Sequence, residues 1–137
     1  MADTFELEIV TPERMIVRDR AEEMQIPGKN GYLGILPLHA PLITELAVGE
    51  ITYRNRNSIH HLAVAWGFAE VLPDKVTILA EVAEPAEEVD VSRAQAAKRR
   101  AQDRLAAGNT EEDFNRAMGD LKRAETRLEV AGRTRST

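Results

Sequence analysis

The sequence predicts an N-terminal antiparallel β-sandwich followed by a C-terminal antiparallel α-helical hairpin. Three observations carry this reading. Short runs of alternating apolar and polar residues, separated by turn residues, fill the first part of the chain. After Pro85 the hydrophobic period changes from two residues to that of a helix. Composition changes at the same place. All six prolines lie at or before Pro85, and the segment beyond it is rich in Ala, Arg, Glu and Gln. Residues 1–86 hold 7 Lys/Arg against 13 Asp/Glu, net −6, whereas residues 87–137 hold 11 against 10, net +1. The expected domains are therefore residues 1–86 and 87–137.

The elements come in order along the chain. Phe5 to Ile9 alternates apolar and acidic residues, as a half-buried strand does, and Thr11 and Pro12 end it. A second extended region runs from about Met15 to Ile26, with an acidic break at Asp19–Glu23 that predicts a bulge or bend. Gly28 to Pro41 comes next. Its three glycines (Gly28, Gly31, Gly34) and two prolines (Pro37, Pro41) rule out a long helix or a regular strand. A tight turn, a short strand from Leu33 to Leu36 and a rigid loop carrying Leu38, His39 and Ala40 are expected. Leu42 to Leu46 is a short strand, Val48 to Glu50 a turn, and Ile51 to Arg54 a strand again. Asn55 to Asn57 closes a hairpin. Ile59 to Trp66 places Leu62, Val64 and Trp66 on one face, and Gly67 breaks that strand, as at a bulge or corner. Phe68 to Leu72, a turn at Pro73 to Lys75, and Val76 to Leu79 form the last hairpin. Strands this short and close imply a sandwich or barrel.

The helical part has clear punctuation. Asp90 can cap a helix from about Val91 to Ala107, with Val91, Ala94, Ala97, Ala101 and Leu105 on its apolar face. Gly108 and Asn109 end it. Thr110 caps a second helix, and Glu111, Glu112 and Asp113 sit in its electropositive first turn. Phe114, Ala117, Leu121, Ala124, Leu128 and Ala131 form its stripe. Two narrow stripes, half alanine, bury too little to hold a domain alone. An alanine methyl contributes roughly 0.8 kcal/mol against ~1–2 kcal/mol of backbone entropy per ordered residue. The hairpin must dock on the sandwich or on another chain. Physics alone leaves open a permanently docked hairpin or a releasable arm.

Composition excludes several functions. There are no cysteines, hence no disulfide scaffold, thiol nucleophile or cysteine zinc site. No apolar run approaches the ~20 residues that span a bilayer, and the N-terminus lacks a signal-peptide pattern. A soluble, cytoplasmic-type chain is expected. The net charge of −5 argues against a dedicated nucleic-acid binder. No nucleophile elbow, phosphate loop or dinucleotide fingerprint is present. No catalytic residues and no metal site are therefore predicted. His60 and His61 are neighbours on a strand, point to opposite faces and cannot jointly hold a metal.

Two surfaces remain as candidates. Leu38, His39 and Ala40 form an apolar loop that suits packing or a partner. His39 can be an interface residue or an ordinary loop histidine. The hairpin offers the other surface. Folded about Asn109, it brings residue 93 near residue 125, with Asp90 and Arg93 beside Arg123 and Arg127. Arg123 and Arg127 are one turn apart on one face. Guanidiniums beside a helix N-terminus make a phosphate cradle. The plain alternative is a capping Asp90 and solvated arginines. A wider basic set (Arg93, Lys98, Arg99, Arg100, Arg104, Arg116, Lys122, Arg123, Arg127) could meet acidic partner subunits. It could equally be a solvated face with i,i+4 pairs such as Arg116 with Asp120.

The run Gly31, Leu33, Gly34, Ile35, Leu36, Pro37, His39, Ala40, Pro41 and Leu42 resembles the signature of the epsilon subunit of F-type ATP synthases. Gly67 to Val71, Lys75 to Ala80, and Ala83 with Glu84 resemble the family's last strands. Asp90 to Ala94 resembles the start of its hairpin, and the likeness covers essentially the whole chain in order. Departures are Trp66, where a second glycine is common, and Tyr32 and Leu38, which replace small or polar residues. The resemblance implies a non-catalytic central-stalk subunit on the cytoplasmic side of the cell membrane, peripheral to it. It implies partners: the gamma subunit, the c-ring, and the alpha and beta subunits of the catalytic head. Gly31, Tyr32, Leu38, His39 and Ala40 would lie at the c-ring and gamma interface. The hairpin would fold on the sandwich or extend into the head to block ATP hydrolysis. No cofactor is required, but a regulatory ATP is implied by Val89, Asp90, Arg93 and Ala94, which match the family's I/L-D-x-x-R-A motif with Val in first place. Glu84, Arg123 and Arg127 fall where that site's acidic and basic members are expected. A free-standing ATP-sensing module is the alternative function; a small hydrolytic enzyme lacks any constellation to support it.

Overall fold

A computed structural model describes residues 3–108 and 110–135. The chain divides into two compact units, Met1–Pro85 and Ala86–Thr137.

The first unit holds eight strands: β1 (Phe5–Val10), β2 (Met15–Ala21), β3 (Glu23–Gly28), β4 (Gly31–Ile35), β5 (Leu42–Leu46), β6 (Gly49–Asn55), β7 (Ser58–Val71) and β8 (Lys75–Pro85). They are hydrogen-bonded in the order β2-β1-β8-β7-β5-β3-β4, and β6 bridges β3 and β7. Every ladder is antiparallel except β1 with β8, where Glu6–Val10 runs parallel to Lys75–Leu79. Alternation does its expected work in β1: Phe5, Leu7 and Ile9 are fully buried while Glu6, Glu8 and Val10 face outward. The core joins these to Ile26, Ile35, Ile51, Leu62, Val71, Val76 and Ile78. Burying each such side chain contributes about 1.5–3 kcal/mol.

The expected bend between Asp19 and Glu23 is present. β2 ends at Ala21 and β3 begins at Glu23. Glu22 sits between them and binds Arg54, which also reaches Glu23 at 3.2 Å. The short strand expected from Leu33 to Leu36 is Gly31–Ile35 instead, because Gly31 already pairs with Gly28 across the turn.

The interruption expected at Gly67 is a corner within one continuous strand: β7 runs through it. Residues 58–64 pair with β6 and residues 67–71 with β5. At the junction Trp66 takes φ +55° and Gly67 φ +124°. These left-handed residues bend β7 between its two antiparallel partners. Trp66 is also not on the core face with Leu62 and Val64. It is 41% exposed, because the bend breaks the strict alternation on which the sequence expectation rests. A side chain at Gly67 would collide with the backbone: an ideal Cβ would sit 1.9 Å from the Leu79 carbonyl oxygen.

The second unit contains a short 3₁₀ turn at Ala86–Glu88, α1 (Val91–Ala106) and α2 (Glu111–Arg135). The 3₁₀ turn packs on α2. Asp90 is the N-cap of α1 and accepts from the Arg93 N–H at 3.0 Å. Thr110 Oγ1 accepts from the Asp113 N–H at 3.2 Å. Gly108, at φ +67°, turns the chain out of α1. Asn109, the other expected terminator, lies outside the described residues.

The two helices pack together through alanine. Ala94 and Ala101 on α1, and Ala117, Ala124 and Ala131 on α2, are buried at seven-residue spacing. Small side chains let the helix backbones approach closely, which leaves longer neighbouring side chains to flank the seam. Phe114, expected in the stripe, is half exposed, and Val130, one residue off it, is fully buried.

Candidate functional site

A groove runs along the close alanine seam of the hairpin. Arg93, Arg100 and Arg104 succeed one another on α1 at spacings of seven and four residues. Arg123 and Arg127 do so on α2 at a spacing of four. Such spacings keep side chains on one helix face. All five line a groove of about 310 Å³ floored by Ala97, Ala101 and Ala124. Asp120 is the one carboxylate in the lining, and its Oδ2 accepts from Arg104 Nη1 at 2.7 Å. A groove of net positive charge, walled by planar guanidiniums, is suited to phosphate oxygens.

Three of the six residues expected at a nucleotide site, Arg93, Arg123 and Arg127, meet here. Asp90 holds the cap of α1. Ala94 is buried in the helix seam. Glu84 lies on β8, opposite Ala63 of β7. The groove also takes in Arg100 and Arg104, which the sequence pattern marks only as part of a broad basic face. Their spacing from Arg93 is the signal that could have found them. The register between helices has no such signal. Lys98 lies 3.9 Å from Glu125 and Arg104 2.7 Å from Asp120. Arg93 is therefore level with residues beyond 125, not with residue 125 itself. Asp120 consequently faces Arg104 across the seam, and Arg116 pairs with Glu112 at 3.2 Å, not with Asp120.

A second surface lies on the sandwich. Phe68 of β7 stands directly opposite Leu79 of β8, and Ile43 of β5 opposite Glu70, two residues along β7. All three apolar side chains point outward: Phe68 is 52%, Leu79 55% and Ile43 71% exposed. Three large apolar side chains are thus exposed on one face of neighbouring strands, interleaved with Glu45 and Glu70, and mark a candidate interaction surface.

The loop after β4 lies at the end of the sheet where β7 turns into β8. The Leu38 N–H donates to the Pro73 carbonyl at 2.8 Å, and Leu38 itself is at φ +69° with its side chain exposed. The His39 N–H donates to the Leu36 carbonyl at 3.2 Å, and its Nδ1 lies 2.7 Å from the Ala40 carbonyl, so Nδ1 carries the proton. The imidazole therefore braces its own loop. Ala40 is exposed. Gly31 takes φ +131° at the start of β4. The half-exposed Tyr32 ties β4 to β6, its hydroxyl accepting from the Glu50 N–H at 3.0 Å. Gly49 permits that contact, since a Cβ there would lie 2.6 Å from the Tyr32 oxygen.

The remaining histidines are structural. His60 stacks on Tyr53 with ring centroids 4.7 Å apart, and His61 Nδ1 lies 2.9 Å from Glu50. Among the described residues no group of three His, Asp or Glu is arranged to hold a metal ion, and no helix is long and apolar enough to cross a membrane.

Sequence comparison assigns both units. The family model described as ATP synthase, Delta/Epsilon chain, beta-sandwich domain matches residues 4–86, and that described as ATP synthase, Delta/Epsilon chain, long alpha-helix domain matches residues 87–132. The chain belongs to the ATP synthase delta/epsilon chain family.

Its relatives within that family are close. An ATP synthase epsilon chain of Koribacter versatilis is 69% identical over 111 residues, covering 81% of this chain and 78% of the relative. That of Syntrophobacter fumaroxidans is 46% identical over 134 residues, covering 98% and 100%. Among solved structures, a chain in the Euglena gracilis mitochondrial ATP synthase (OSCP/F1/c-ring in rotational state 1) superposes with a TM-score of 0.82. It is 22% identical and covers 96% of this chain and 82% of its own length. A chain in the Tetrahymena thermophila mitochondrial ATP synthase central stalk and c-ring gives 0.61 at 12% identity, covering 91% and 94%. At these identities the superpositions speak to the fold. This member of the delta/epsilon family thus has the family's fold in both units.

Proposed function

We propose that this epsilon-type chain is a non-catalytic central-stalk subunit of a proton-translocating F-type ATP synthase, peripheral to the cytoplasmic side of the cell membrane. The β-sandwich docks on the gamma subunit and the c-ring. The helical hairpin is a mobile brake that extends toward the alpha and beta subunits and inhibits ATP hydrolysis. The observation that carries this reading is the outward patch of Ile43, Phe68 and Leu79. Large apolar side chains grouped on one sheet face suit a protein partner, and family membership supplies the candidates. The exposed Leu38 extends apolar surface to the loop end of the same unit, where the c-ring contact through Leu38, His39 and Ala40 belongs.

The test is reconstitution with the remaining subunits. Phe68→Asp combined with Leu79→Lys should leave the sandwich folded yet abolish co-purification with gamma, and charged residues at Leu38 and Ala40 should uncouple proton flow from synthesis. Truncation after Glu88 should release ATP hydrolysis. Unchanged co-purification and unchanged hydrolysis would reject docking and braking respectively. A free-standing ATP-sensing module would bind nucleotide but never co-purify with gamma.

The arginine groove favours a second role for the same chain. ATP binds there through its phosphates and holds the hairpin folded, so the brake responds to nucleotide supply. Calorimetric titration of the isolated chain with ATP tests it. Binding should be lost in the Arg123→Ala, Arg127→Ala double variant, and the absence of heat at millimolar ATP would reject the role.

A further inference from the structure

Of the five guanidiniums that line the hairpin groove, Arg104 is engaged by a carboxylate lining the same groove. Arg104 Nη1 donates to Asp120 Oδ2 at 2.7 Å. The contact joins α1 to α2, and both side chains keep more than two-fifths of their surface in water, 43% and 47%. Neither is sealed in; each can rotate away. From the reading that the groove takes the phosphates of ATP, on which this inference rests, we infer that Asp120 is an intramolecular competitor. It occupies Arg104 in the empty groove and must give it up to the ligand.

The chemistry is an exchange of acceptors. A carboxylate and a phosphate oxygen present the same planar fork of N–H donors with the same kind of acceptor, and a phosphate carries more charge. A polyphosphate that reaches Arg104 replaces the carboxylate and leaves Asp120 to solvent, which its exposure allows. Until then Asp120 both withholds one donor and places a negative charge among the arginines that receive the ligand. It therefore lowers the affinity of the groove for the ligand. A ligand long enough to reach Arg104 benefits from removal of Asp120, and a single phosphate held by Arg93, Arg123 and Arg127 benefits less.

The experiment is calorimetry of the full chain with ATP, inorganic tripolyphosphate and inorganic phosphate. Asp120→Asn keeps the shape and removes the charge. It should tighten ATP and tripolyphosphate about three- to tenfold, the scale of one exposed charge pair together with one relieved repulsion. Asp103→Asn removes the same charge from a residue of α1 outside the groove and should change affinity less than about twofold. In an Arg104→Ala background the improvement from Asp120→Asn should shrink toward none, because the two effects are coupled through one contact. Far-UV circular dichroism verifies that helix content is kept in each variant. Equal improvement from Asp103→Asn and Asp120→Asn, an undiminished improvement without Arg104, or none at all would each overturn the competitor role while leaving ATP binding in place. Failure of ATP and tripolyphosphate to bind wild type and Asp120→Asn alike would remove the nucleotide reading and this inference together.

Discussion

Gly67→Ala is the sharpest test of how the sandwich is built. Gly67 takes φ +124°, a region that residues with a Cβ rarely enter. Holding alanine there costs on the order of 1–3 kcal/mol. Space is the larger obstacle. The added methyl would lie 1.9 Å from the Leu79 carbonyl oxygen and 2.9 Å from Ala80 Cα. Both are backbone atoms of β8, so no side chain can rotate aside. The strand must move by more than an ångström, at an overpacking cost of ~1–3 kcal/mol plus roughly 1 kcal/mol for the ladder bond it strains. The combined cost is about 3–7 kcal/mol, a large share of the ~5–15 kcal/mol that holds a domain together.

Two other glycines calibrate that figure. Gly31 shares the positive φ, at +131°, but has nothing within 4 Å of an added Cβ, so Gly31→Ala measures backbone strain alone, about 1–3 kcal/mol. Gly34 has neither strain nor obstruction, and Gly34→Ala should be neutral or stabilising by about 0.5 kcal/mol. The assay is urea unfolding monitored by the fluorescence of Trp66, the only tryptophan of the chain and part of the first unit. In thermal unfolding Gly67→Ala should lower Tm by more than about 12 °C, at ~4 °C or more per kcal/mol for a domain of this size. A Gly67→Ala protein within about 1 kcal/mol of Gly34→Ala would refute the reasoning, because the clash would then have been absorbed where no flexible group exists to absorb it.

The same geometry dictates other outcomes. Asp90→Ala removes the acceptor for the Arg93 N–H and should destabilise α1 by about 1 kcal/mol, read as earlier loss of helical circular dichroism on heating. Ala101→Leu inserts bulk into the alanine seam, where Ala101 is 1% exposed; it should cost ~1–3 kcal/mol and, by spreading the helices, weaken any anion held by the groove in a calorimetric titration. The Glu8 carboxyl is held below the usual glutamate range, first by the Lys75 ammonium that donates to it and then by Arg18, although burial opposes them. A carboxyl lowered by folding contributes stability above its unfolded pKa and loses it as pH falls through the folded one. Glu8→Gln should thus lower stability at neutral pH and flatten the acid limb of the stability curve; an unchanged acid limb in urea titrations from about pH 7 to about pH 3 would show that the β1–β8 ion pair contributes nothing.

Features written locally in the chain are the ones its sequence discloses. Asp90, Thr110 and Gly108 sit at helix ends because caps and left-handed terminators act within one turn of the chain, and period-two alternation reveals β1 for the same reason. The features that escape depend on contacts far apart in sequence. Nothing near Phe5 announces that β1 will lie parallel to Lys75–Leu79. Gly67 signals a corner, but nothing near it tells that one strand continues through the corner and changes its partner from β6 to β5. The face of Trp66 is lost with it, since a left-handed residue at the bend breaks the strand's alternation. The groove shows the same division. Arg93, Arg123 and Arg127 can be grouped from helix periodicity, but the inter-helix register that sets Asp120 against Arg104 emerges only when five alanines fix how closely the helices approach. A site made by one helix is legible in its spacing; a site made by two depends on their register, and in this hairpin the register is set by its smallest side chains.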